Sequence, residues 1–106
     1  MTEYSVAITT VSSKEEARKL AKSMVESHLA ACVSIIPDVI SVYNWKGQER
    51  EDPECILVIK TRTRLISDLQ DHFAGRHPYE TPELVVLSIE AGSEGYLEWM
   101  AGWLRR

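Results

Sequence analysis

The chain reads as strand, helix, strand, strand, helix, strand and a further helix, an order that predicts an α+β sandwich. Three observations carry that reading. Four apolar or β-branched runs stand at 4–11, 29–45, 55–60 and 84–90; helical spacing fills the gaps after the first and third; and Lys46-Gly47 with a short polar stretch separates the middle two. Two right-handed strand–helix–strand units joined by a hairpin give one antiparallel sheet of order 4-1-3-2 with both helices on one face. This is the ferredoxin-like βαββαβ sandwich, here with a long hairpin arm and an extra C-terminal helix, and residues 1–106 read as a single domain.

The first run, Tyr4 to Val11, is rich in β-branched residues and ends where Ser12-Ser13 begins. Ser13 with Glu16 three residues on forms a capping-box pattern, and Ala17, Leu20, Ala21, Met24 and Val25 recur at helical spacing. Lys14, Glu15, Arg18, Lys22 and Glu26 take its solvated face, and His28 stands at its end. Leu29 to Trp45 reads as one long strand, bulged near Pro37-Asp38 because proline cannot donate to a sheet ladder. Gln48 to Glu54 is polar and acidic and belongs to a hairpin arm; Cys55 to Lys60 returns as a strand apolar on both faces.

Thr63 caps the second expected helix, in which Leu65, Ile66, Leu69 and Phe73 are apolar and which Gly75 stops; His72 is expected as a surface partner of Asp68 or Asp71. Leu84 to Glu90 is a strand with Val, Leu and Ile on both faces. Gly92-Ser93 opens the last helix, with Leu97, Met100, Ala101 and Leu104 on one side and Trp99 and Trp103 near another. A ferredoxin-like sheet leaves one face bare, yet the third and fourth strands are apolar on both. At about 25 cal/mol per Å² such a face favours association, so we expect a homo-oligomer with its sheets turned inwards.

Composition narrows the classes. The chain is 44% apolar and 26% charged, and no apolar run approaches the roughly 18 residues of a membrane span. Met1-Thr2-Glu3-Tyr4 lacks the basic start of a signal peptide, so a cytoplasmic location and no membrane partner are expected. Cys32 and Cys55 lie inside apolar runs and read as buried thiols of a reducing compartment. The net charge of −4, without a cluster of Lys and Arg, argues against nucleic acid and suits a protein that attracts cations.

The densest chemistry lies at His77-Pro78-Tyr79-Glu80-Thr81-Pro82-Glu83, where each proline fixes its own φ and drives the preceding residue towards an extended conformation. The segment is therefore stiff and non-helical, and serves either the fold as a corner or a ligand as a frame.

With Leu29-Ala30-Ala31-Cys32-Val33, Val42-Tyr43-Asn44-Trp45-Lys46-Gly47, Ile59-Lys60-Thr61 and Tyr96-Leu97-Glu98-Trp99, this segment resembles the CutA divalent-cation tolerance family, in order from Tyr4 to the C-terminus. The resemblance implies a compact trimer with interlocked hairpins, an association with copper and other divalent cations, and a likeness in shape to the PII signalling trimers. Copper ligands proposed for some members are a cysteine near the end of the first strand and two adjacent histidines. Those positions are Thr9 and Arg76-His77 here, so only His77 keeps a ligand, and Arg76 is expected to add charge repulsion.

Two functional readings follow. In the first, His77 with carboxylates such as Glu80, Glu83 or Glu90 offers nitrogen and oxygen ligands to a divalent cation, copper among them. In the second, a PII-like sensor takes a small anion in an inter-subunit cleft through Lys60, Arg62, Arg64 or Arg76, with Tyr79 or Trp45 stacking on a ring. Tyr43, Trp45 and Trp99 are expected to anchor subunit contacts. An enzyme is not expected: no glycine-rich phosphate loop follows the first strand, and no histidine is placed beside a cysteine or serine in recognisable context.

Overall fold

The structure is a computed structural model that describes residues 3–106; Met1 and Thr2, on which the reading of the N-terminus partly rests, lie outside the described residues. The elements are β1 (Tyr4–Val11), α1 (Lys14–Glu26), β2 (Cys32–Trp45), β3 (Gln48–Arg62), α2 (Ile66–Phe73), β4 (Val85–Ser88) and α3 (Glu94–Trp103). Every pairing is antiparallel and the strand order is β2-β3-β1-β4, the order expected from the chain.

Alternation along the strands divides the sheet into two unlike faces. Ser5, Ala7, Thr9 and Val11 of β1 and Cys55, Leu57, Ile59 and Thr61 of β3 are buried on the helix side. They meet Ala17, Leu20, Ala21 and Met24 from α1 and Leu69 and Phe73 from α2, so the helical stripes read from spacing are the core. Ser13 caps α1 as expected, accepting a hydrogen bond from the Glu16 amide at 3.2 Å.

Register identifies the other face. Ile8 stands opposite Val58 on one side and Val85 on the other, Val6 stands opposite Leu87, and Ile36 stands opposite Ile56. Facing pairs share a side, so these residues form one apolar surface with no helix over it. Ile36, Val85 and Leu87 remain 46%, 49% and 54% exposed.

Several expectations need correction. The second strand begins at Cys32, not Leu29: the amides of Leu29 and Ala30 bond back to the Met24 carbonyl and that of Ala31 bonds to Lys60, so these three residues close α1 and fill the core. The fourth strand covers only Val85–Ser88, and all four residues are exposed within the protomer although both faces are apolar. Thr63 does not cap α2. It opens a 3-10 turn, Thr63–Leu65, and its hydroxyl bonds to Ser5 at 2.6 Å, while neither turn nor helix has a side-chain cap.

The arm is regular β-structure to its tip. A register shift between Ile36 and Val39 marks the expected bulge, with Asp38 at φ 60°, and pairing then runs from Val39↔Glu54 to Trp45↔Gln48. Lys46 and Gly47 take φ 52° and 81°, the two positive values of a type I′ hairpin turn, and the Asn44 side chain accepts from the Gly47 amide at 3.1 Å. This arm stretches the molecule to 44 Å against 25 and 23 Å in the other directions.

Helix α3 closes the end of the sandwich. Met100 and Leu104 are buried, Trp103 donates its indole N–H to the Val25 carbonyl at 2.8 Å, and His28 stacks on Trp103 with ring centroids 4.0 Å apart.

Candidate functional site

The proline-rich segment is a corner built around His77. Helix α2 ends at Phe73, Gly75 turns the chain with φ 77°, and the His77 amide bonds back to the Phe73 carbonyl at 2.8 Å. This delivers the imidazole beneath the sheet, 9% exposed, with its ring centroid 5.1 Å from that of Phe73. The Tyr79 amide donates to His77 Nδ1 at 3.1 Å, so the ring proton sits on Nε2, which donates to Thr9 Oγ1 at 3.0 Å. Both nitrogens are therefore engaged within the fold.

Tyr79 fixes the other side of the corner. Its hydroxyl donates to Glu54 Oε2 at 2.6 Å, at the root of the arm. Burial, then the Glu54 hydrogen bond and charge, push the phenol well above its ordinary pKa, so it remains a donor. One short segment thus ties the middle of β1 to the base of the arm.

Burial also holds His77 below the ordinary histidine pKa, outweighing a backbone hydrogen bond with Thr10 and the charge of Glu16. His72 is lowered too, by burial first and then by Arg76 and Arg105. Both groups bind a proton more readily unfolded than folded, so their contribution to stability is complete above the ordinary value of 6.5 and is lost as pH falls from there through their lowered folded values. Urea unfolding is expected to show a lower midpoint at pH 5 than at pH 7.5, and a flat profile would contradict the neutral assignment.

The structure distributes the expected metal residues unevenly. Thr9 and His77 adjoin, but as acceptor and donor of one hydrogen bond. Glu80 and Glu83 are exposed, and among the described residues no three His, Cys, Asp or Glu side chains come together to hold a metal ion. Arg76 does not confront His77 as expected: its guanidinium donates to the His72 carbonyl at 3.2 Å and lies in the groove between α1 and α2. The cations offered for an anion cleft take different places in the protomer. Arg62 is buried against α3, Lys60 donates to the Tyr96 hydroxyl at 3.1 Å, and only Arg76 enters the groove.

Tyr43, Trp45 and Trp99 are exposed in the protomer, Trp45 at 50%. The Tyr43 hydroxyl donates to Asp52 across the arm, and Trp99 stands against Tyr96 with centroids 5.4 Å apart. The pairing of His72 with Ser23, 2.9 Å from Nε2 to Oγ, replaces the expected surface pair with Asp68 or Asp71. Neither it nor the Glu54–Tyr79 bond leaves a local trace, since the partners lie 49 and 25 residues apart.

One open apolar face, a projecting hairpin and a proline-framed imidazole corner place the chain in the class of ferredoxin-like α+β sandwiches. The chain belongs to the CutA1 divalent ion tolerance protein family, whose pattern it matches over residues 5–102. The divalent-cation tolerance protein CutA of Thermus thermophilus is 44% identical over 95 residues, 90% of this chain and 92% of that one. The chloroplastic protein CutA of Arabidopsis thaliana is 45% identical over 95 residues, 90% of this chain, and the chain spans 52% of its length. CutA1 from Oryza sativa has a TM-score of 0.94 at 40% identity, covering 98% of this chain and 95% of that one.

Proposed function

We propose that this protein serves divalent-cation tolerance as a non-catalytic, cytoplasmic homotrimer whose open sheet faces turn inwards and whose arms reach across to neighbours. The observation that carries the assembly is the apolar surface of Val6, Ile8, Ile36, Ile56, Val58, Val85 and Leu87, continuous by register, with Ile36, Val85 and Leu87 exposed and the others half-buried in the protomer. Three inward faces bury it, and they leave the helices outside. The exposed Ile40, Val42, Tyr43 and Trp45 give the arm an apolar surface suited to a neighbour. Two free thiols, Cys55 buried among them, suit a reducing compartment.

In this reading copper or another divalent cation meets oxygen and nitrogen ligands drawn from more than one protomer, Glu80 and Glu83 among the candidates, while His77 is a structural group. Liganding by His77 would require breaking its bond to Thr9 or to the Tyr79 amide. What supports the non-catalytic reading is that the Ser23 hydroxyl beside His72 donates to the Leu20 carbonyl at 2.8 Å and not to the imidazole.

The test measures Cu²⁺ binding and mass together. The native protein is expected at three times the 12.0 kDa of the chain and to bind Cu²⁺. His77→Ala is expected to be less stable yet to retain that binding. Loss of binding in a variant that is still folded would make His77 a ligand, and a monomeric native protein would sink the assembly.

A further inference from the structure

The helix layer carries a concavity that neither the corner nor the open sheet face uses. Between α1 and the end of α2 lies a groove of about 420 Å³ lined by Lys19, Lys22, Ser23, Glu26, His72 and Arg76. The four α1 residues recur at i, i+3, i+4 and i+7, so they stand on one face of the helix.

Its charge is uncompensated. Among the described residues the ion pairs are Lys14–Asp38 and Arg62–Glu3, and neither reaches the groove. Arg76 donates only to the His72 carbonyl. Three cations therefore face the single carboxylate of Glu26, an excess of two positive charges on a chain whose net charge is −4. On exposed side chains such a cluster sets up a local positive potential that attracts anions.

The floor responds to an anion through its protonation state. Because the Ser23 hydroxyl donates to Leu20, its oxygen accepts from His72 Nε2–H, and the neutral ring carries no proton on Nδ1. The groups facing this ring are Lys19, Lys22 and Glu26 from α1, Arg76 beyond its own helix, and Arg105 after α3, which donates to the Ser27 carbonyl at 2.9 Å. An anion among them offsets the cations that oppose protonation of His72.

We propose that this groove binds a small phosphomonoester, its phosphate held by Lys19, Lys22 and Arg76 above His72. A phosphomonoester carries about −1.5 to −2 charges near neutrality on one compact group, matching the excess; a monocarboxylate would leave half of it unmet. The groove lies on the side away from the open sheet face, so an inward-facing assembly leaves it accessible. The inference does not depend on metal binding.

Isotope-labelled full-length protein titrated with ribose 5-phosphate tests it, with ribose and succinate as comparison ligands. Saturable shifts at Lys22 and His72 are expected with ribose 5-phosphate alone, together with a rise in the His72 pKa. A Lys19→Gln, Lys22→Gln double variant, changing only exposed side chains, is expected to bind at least about tenfold more weakly, since charge-assisted hydrogen bonds are removed. Absence of saturable shifts at millimolar ligand, an equal response to ribose or succinate, or unchanged affinity in the variant would each overturn the proposal. Copper binding and mass are read separately, so failure here leaves the assembly and metal reading standing, and the reverse.

Discussion

A Tyr43→Ala, Trp45→Ala double variant is expected to dissociate at protein concentrations where the native protein stays assembled. Both side chains stand outside the protomer's own core, Tyr43 40% and Trp45 50% exposed on an arm paired only from Val39 to Trp45 with Gln48 to Glu54. The turn at Lys46-Gly47 needs neither ring, so the protomer fold survives. Aromatic anchors in interface cores are commonly worth about 2 kcal/mol or more each, and the proposed trimer would repeat the loss at every interface. Light scattering across a dilution series reads the outcome. Tyr43→Phe separates the ring from its hydroxyl, which donates to Asp52 within the same arm, and is expected to stay assembled. An unchanged mass for the double variant at low concentration would contradict the role assigned to the arm.

The second large effect is expected at Arg62. Its side chain is only 8% exposed, donates to the Arg105 carbonyl at 3.0 Å and the Ala101 carbonyl at 3.3 Å, and pairs with Glu3. The guanidinium also lies 5.4 Å from the centre of the Tyr4 ring. Sheet, N-terminus and last helix are thereby tied through one planar fork. Arg62→Ala leaves the two carbonyls without these donors, while Glu3, largely exposed, can return to water. The expected loss is about 2–3 kcal/mol, less than for a pair buried on both sides. Arg62→Lys is expected to recover only part, because an ammonium lacks the fork. Urea midpoints compared at one protein concentration check this, since assembly adds to apparent stability. A loss below about 0.5 kcal/mol would place Arg62 among ordinary surface residues.

Much of the sandwich was legible because its signals are local. Helical spacing in Ala17, Leu20, Ala21 and Met24 needs only neighbours within two turns, and these four are the buried stripe of α1. The bulge at Pro37-Asp38 and the turn at Lys46-Gly47 follow from backbone restrictions that single residues impose. Leu29 to Ala31 were misread as strand for an instructive reason: apolarity records burial, and a buried helix-to-strand connection is as apolar as the strand it precedes. The 3-10 turn at Thr63–Leu65 was hidden because the Thr63 hydroxyl serves Ser5, far away in sequence.

The candidate site was legible as a location but not as a chemistry. Two prolines marked the corner at His77 to Glu83, yet the state of the imidazole is set by Thr9 and Tyr79, and the phenol of Tyr79 by Glu54. Arg76 shows the same limit. Its neighbour in the chain is His77, but its neighbours in space are His72 and the lysines of α1.

By itself, then, the sequence determined the βαββαβ order, the strand order 4-1-3-2, the long arm and an apolar surplus on the third and fourth strands. Each is written in periodicity and turn residues that act over a few positions. Only the tertiary structure decided that His77 is a neutral, doubly bonded corner, that Arg62 locks the last helix, and that Lys19, Lys22 and Arg76 share a groove. Apart from the Tyr79 amide beside His77, those outcomes depend on which groups meet across 39 to 68 residues, and on the burial and charge that such meetings create. No local pattern encodes them.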